Sequence, residues 1–111
     1  MYMDNVIRLT AEKKKELFRQ FLLARNPSEK FVRTYFTYLN STVVKKACIE
    51  HTSTDDIFSL VCFDDIENIY DEVKLDDKNV ANHNVYSGAV SAYKKFLVGK
   101  PLRPMVTKKE V

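Results

Sequence analysis

The sequence predicts an all-α fold, a compact bundle of four longer helices plus one short helix. Two observations carry this expectation. Apolar residues recur at three- and four-residue spacings along most of the chain, which is the spacing of one helix face. Only two glycines and three prolines occur, too few for the many turns of an all-β fold. With 111 residues and 45% hydrophobic content, the chain suits one domain with a real core.

Residues 1–10 read as a leader, 11–99 as the helical domain and 100–111 as a basic tail or linker. Thr10 is placed to cap a helix over 11–24, with Leu17, Phe18, Phe21 and Leu22 on its apolar face. Lys13, Lys14 and Lys15 cluster on its first turns and are expected to be a solvated face. A second helix follows. Asn26 can cap it with Pro27 at the first helical position and Glu29 three residues after the cap; Ser28 is the rival cap. Phe31, Val32, Tyr35, Phe36, Tyr38 and Leu39 provide its core side. A third helix is expected over 42–51, starting from Ser41 or Asn40. Val43, Val44, Ala47, Cys48 and Ile49 would pack inward, and Lys45 and Lys46 point outward. Thr54 or Asp55 caps a short turn of helix through Leu60, anchored by Ile57, Phe58, Leu60 and Val61.

Asp64 or Asp65 starts a further helix, running to about Lys74 on the stripe Ile66, Ile69, Tyr70 and Val73. The segment from Leu75 to Asn79 breaks this pattern and reads as an acidic loop. The last helix starts near Val80 or Asn84 and ends at Gly99, with Pro101 and Pro104 preventing continuation. Its stripes 86, 90, 93, 97 and 85, 89, 92, 96 face inward. Ser87, Gly88, Ser91, Lys94 and Lys95 lie on the other side.

Charge is unevenly spread behind a net +3. Residues 1–50 hold ten Lys/Arg against five Asp/Glu, 51–85 two against nine, and 86–111 six against one. Basic ends around an acidic middle fit a polarised surface that attracts a polyanion; they equally fit helices that are simply solvated. The first five residues do not form a signal-peptide start, and no apolar run approaches the roughly 20 residues of a membrane span. A cytoplasmic protein without a membrane segment is therefore expected, and Cys48 and Cys62 are expected as reduced, buried thiols. Cys48, Cys62, His51 and His83 do not show the spacing of four convergent zinc ligands, and neither cysteine has the surroundings of a nucleophile. Asp64, Asp65, Asp71 and Glu72 read as helix starts and solvated faces. No metal, cofactor or catalytic constellation is expected.

Three runs resemble one family. Ser28-Glu29-Lys30-Phe31-Val32-Arg33-Thr34-Tyr35, followed by Leu39, looks like the second helix of SAM-like N-terminal domains. These are the core-binding domains of phage integrases and tyrosine recombinases, also found beside restriction-type nucleases. Asp64-Asp65-Ile66-Glu67-Asn68-Ile69 resembles the family's acidic helix, and Asn84 through Leu97 resembles its last helix. The resemblance covers roughly residues 11–99. It implies a four- or five-helix domain that clamps double-stranded DNA beside a separate catalytic domain, in DNA recombination, integration or mobile-element biology. Gly88 departs from the usual Ala-like residue, and the chain leaves no room for the recombinase Arg-His-Tyr machinery.

Under this reading Lys30, Arg33, Lys45, Lys46, Lys94 and Lys95 neutralise phosphates, with Lys100 and Arg103 adding reach. Thr34, Thr37, Ser87 and Ser91 donate hydrogen bonds to phosphate oxygens. Gly88 admits a close neighbour, either another helix or DNA. The alternative reading is a helical protein-interaction or oligomerisation module that uses the last helix.

Overall fold

The computed structural model describes residues 6–99, and every regular element among them is helical. The order is α1 (Ala11–Arg25), α2 (Glu29–Leu39), α3 (Thr42–His51), a 3-10 turn (Ile57–Ser59), α4 (Phe63–Leu75), α5 (Asp77–Ala81) and α6 (Val85–Leu97). The five longer helices are those placed one by one along the sequence, one more than the four-plus-one arrangement counts, and the new element is a second short helix. The extra short helix, α5, occupies part of the segment expected as an acidic loop. None of these helices is long and apolar enough to cross a membrane.

Local chemistry sets most boundaries. Thr10 caps α1, its Oγ1 accepting from the Lys13 amide at 3.1 Å. The α1 end runs one residue beyond expectation, to Arg25. Asn26 then turns extended, as a residue before proline prefers. Asn26 therefore closes α1 instead of opening α2. Pro27 lies outside the second helix, and Ser28 is the cap, accepting from the Phe31 amide at 3.3 Å. Ser41 caps α3 with the same geometry, at 3.3 Å to the Val44 amide. The turn at 57–59 is capped by Asp56 rather than Thr54 or Asp55, because the Thr54 hydroxyl already accepts from the Asp56 amide. Helix α4 starts at Phe63, and Asp64 and Asp65 sit in its first turn, where the helix dipole favours them. Asp76 closes α4 and caps α5 through the Lys78 amide at 2.8 Å.

The start of α6 is built differently. Asn84 is left-handed, with φ 63°, and supplies no side-chain cap. The Ser87 amide is taken instead by Asn79 Oδ1 at 2.9 Å, from the buried face of α5. At the other end Gly99, φ 79°, takes the left-handed conformation expected of a helix terminator.

The centre of the core is aromatic. Phe18 of α1 lies 5.4 Å from the rings of both Tyr93 and Phe96 on α6 and 5.7 Å from Phe36 on α2. Phe58 meets Tyr93 edge-on at 4.9 Å. Each buried aromatic contributes on the order of 1.5–3 kcal/mol through area removed from water. Helix α6 packs against α4, α2, α1 and α5, so it is the element the others enclose.

Several expected placements are reversed. Lys14 is fully buried, not solvated. Ile49 and Val61 are each 59% exposed. For Ile49 the reason is that Val43, Val44, Ala47 and Cys48 already fill the inner face of α3. For Val61 the reason is that Leu60 and Cys62 take extended backbone, so helical spacing does not apply there. Both cysteines are free, but Cys62 is exposed and only Cys48 is buried. Ser87 is buried rather than outward-facing.

Candidate nucleic-acid interface

The predicted contacts separate into two groups. The first is on α2. Lys30, Arg33, Thr34 and Thr37 stand at the positions that share one helix face, and with Tyr38 they line one groove of about 390 Å³. Lys30, Arg33 and Thr37 are exposed, and Thr34 is half-buried. Arg33 and Thr37 also border a second groove of about 540 Å³, which continues to Ser41 and Thr42 at the head of α3 and to Tyr86 of α6. Tyr38 and Tyr86 meet edge-to-face at 5.5 Å in its wall. The Thr34 hydroxyl donates to the Lys30 carbonyl at 2.8 Å. Its proton is spent on the helix, so it can accept from a ligand but not donate. Thr37 makes no comparable bond among the described residues.

The α3 lysines do not join this face. Lys46 lines a depression with Thr42, Leu75, Asp76, Asp77 and Lys78, where two carboxylates form part of the wall. Lys45 is half-buried beside it on the helix and borders neither α2 groove.

The second group is on α6. Ser91, Lys94 and Lys95 line a groove with Phe63 and Glu67 of α4. The Lys94 ammonium sits 4.2 Å from the centre of the Tyr70 ring. Ser87 drops out of the set. Its hydroxyl accepts from Asn79 Nδ2 at 3.0 Å and donates to the Asn84 carbonyl at 3.2 Å, inside the fold. Lys100 and Arg103 lie outside the described residues.

No protein-family model, no curated protein and no solved structure matches this chain. The likeness to integrase core-binding domains therefore rests on the three residue runs.

Three ion pairs form among the described residues: Arg19 with Glu29, His51 with Glu72 at 2.7 Å, and Lys74 with Asp71 at 4.0 Å. Lys30, Arg33, Lys94 and Lys95 thus have no carboxylate within 4.0 Å among those residues; Lys30 and Arg33 are exposed, while Lys94 and Lys95 share their groove with Glu67. Sequence reasoning passed over Lys74, whose ammonium lies 5.0 Å from the same Tyr70 ring. The spacing of Tyr70 and Lys74 on one helix was a usable signal for that contact. The approach of Lys94 to Tyr70 depends on how α4 and α6 pack, and nothing local announces it.

Other reactive groups are tied into structure. Burial first, and then the nearby Asp56 and Asp55 carboxylates, push the Cys48 thiol up to about 12. A thiol held protonated in this way is a poor nucleophile. A hydrogen bond to Glu72, together with its charge, raises the Glu50 carboxyl. Glu72 also meets His51, so these three side chains form a small clasp between α3 and α4.

Proposed function

We propose that this chain is a non-catalytic module that grips double-stranded DNA through its phosphate backbone. It would serve as the DNA-holding part of a larger integrase, recombinase or restriction-type nuclease. The observation that carries this reading is the α2 face: Lys30 and Arg33 are exposed, unpaired with carboxylates among the described residues, and set beside Thr37 over one groove. Side chains of this kind position a protein on phosphate oxygens without reading bases. The wider charge pattern agrees, because α1 to α3 carry a basic excess while α4 carries an acidic one.

The test is duplex binding measured across a salt series. Binding should weaken steeply with salt. The Lys30→Gln/Arg33→Gln variant should weaken it further and flatten the log–log salt slope by about 2, one phosphate per lost charge. Circular dichroism should be unchanged, since both side chains are exposed. Absent or salt-insensitive binding, or an unaffected double variant, would overturn the proposal.

A second reading has one specific observation in its favour. Leu75 is 81% exposed and Val80 60% exposed, both close to the turn between α4 and α5. Such an apolar edge fits a helical protein-interaction module. Association through it would resist salt, which separates it from phosphate binding.

A further inference from the structure

We propose that the seam between α4 and α6 is a second phosphate-binding point for the same duplex, made of two grooves that meet at Ser91, one holding Lys74 over the bare backbone of Gly88 and the other holding Lys94. This rests on the DNA-binding reading above and adds a site on another pair of helices.

Lys74 and Lys94 come from different helices and converge on one aromatic ring, at 5.0 and 4.2 Å from its centre. Asp71 approaches Lys74 at 4.0 Å, and Glu67 shares the Lys94 groove without coming within 4.0 Å of its ammonium. Ser91 lines both the groove that holds Lys74 and the groove that holds Lys94, so an oxyanion at Ser91 can draw a charge-assisted hydrogen bond from each ammonium. Ser91 borders the groove and makes no side-chain hydrogen bond among the described residues, which leaves its hydroxyl as a third donor.

Gly88 makes the site accessible. Among the described residues, no atom outside its own stretch of helix lies within 4 Å of the place where its β-carbon would stand. Within the described residues, therefore, no helix of this chain crosses α6 at Gly88 and needs the missing side chain. Glycine costs a helix interior roughly 1 kcal/mol relative to alanine, and the fold draws no packing benefit in exchange. The benefit is on the outside, where an open groove of about 340 Å³ runs between Tyr70, Lys74 and the α6 backbone. A phosphodiester group fits this chemistry: it is anionic, and it has two free oxygens, one for each ammonium group.

The experiment compares three variants of the full chain on one duplex across a salt series. Gly88→Leu places a side chain in the open groove and, by helix propensity, should melt no lower than wild type. It should bind duplex about 10-fold more weakly. Lys74→Gln/Lys94→Gln should flatten the salt slope by about 1, the loss of one phosphate contact. Lys30→Gln/Arg33→Gln is the reference for the α2 face. If that reference variant weakens binding while the other two bind as wild type with an unchanged slope, the α4–α6 site is overturned and the DNA-binding reading stands. If wild type binds no duplex at any salt, the DNA-binding reading fails and this site fails with it. Binding lost by Gly88→Leu only on duplexes carrying a 5′-phosphate would overturn the assignment to an internal phosphodiester.

Discussion

Lys14 on α1 and Lys94 on α6 show two fates of the same side chain. Lys14 turns into the molecule, is fully buried, and donates to the Ile7 carbonyl at 2.8 Å and the Leu60 carbonyl at 2.7 Å. It joins the start of the described chain to the connection between α3 and α4. Lys94 stays half-exposed on an aromatic ring at the rim of a groove. The charge of Lys14 is spent on the fold, and that of Lys94 remains available to a partner. A count of lysines along the sequence treats the two alike. The field that a polyanion meets is set only by those that keep their charge outside.

This contrast is easiest to break by truncation. Lys14→Ala should cost about 3–5 kcal/mol of unfolding free energy, from the lost stem and from two buried carbonyls left without a donor. Lys14→Met keeps the stem and should cost less. Lys94→Ala should cost under about 1 kcal/mol, since it gives up one exposed cation–ring contact. Urea unfolding of the three variants measures the contrast, and equal losses at positions 14 and 94 would abolish it.

The pH dependence of stability sharpens it. Burial lowers the Lys14 ammonium from 10.5 to about 8, with Asp56 opposing. Between those values the unfolded chain holds more protons, so stability rises with pH. Cys48 acts in the opposite sense: its thiol goes from 9.0 to about 12 on folding, so stability falls with pH above 9. The expected profile climbs by at most about 1 kcal/mol from pH 8 to 9, then levels off while the two effects cancel. Above pH 10.5 it falls, helped by Tyr93, whose buried hydroxyl also titrates above its usual range. Lys14→Met should remove the climb, and Cys48→Ala should extend it. Lys94→Ala should change neither.

The smallest expected effect concerns the open side of α6. Gly88→Ala should raise stability by about 0.5–1 kcal/mol, because the added methyl meets no other element among the described residues. A loss on thermal melting would mean that something packs against that backbone.

What the sequence disclosed follows the range of the interaction. The caps at Thr10 and Ser41 and the whole extent of α3 were legible because each bond closes within three or four residues. The four residues on the α2 face were legible as a group for the same reason. The fate of Lys14 was hidden because one of its acceptors lies 46 residues away. Ser87 looked like an outward-facing donor because its partner, Asn79, stands in a segment with no helical stripe of its own. The α4–α6 groove was half visible: Lys94 and Gly88 stood out, while Tyr70 read as core and Lys74 drew no notice. Charge sorting along the chain did carry over to the helices, with Lys46 beside Asp76 and Asp77 as the place where the two signs meet.

The way Asn79 takes the Ser87 amide has a consequence for the order of folding. The first turn of α6 is completed by a residue eight positions earlier, on a five-residue helix too short to persist alone. Neither piece is stable without the other, so α5 and the head of α6 should form and open as one cooperative unit. In hydrogen exchange, the Ser87 amide would then report the opening of α5 as much as the fraying of its own helix.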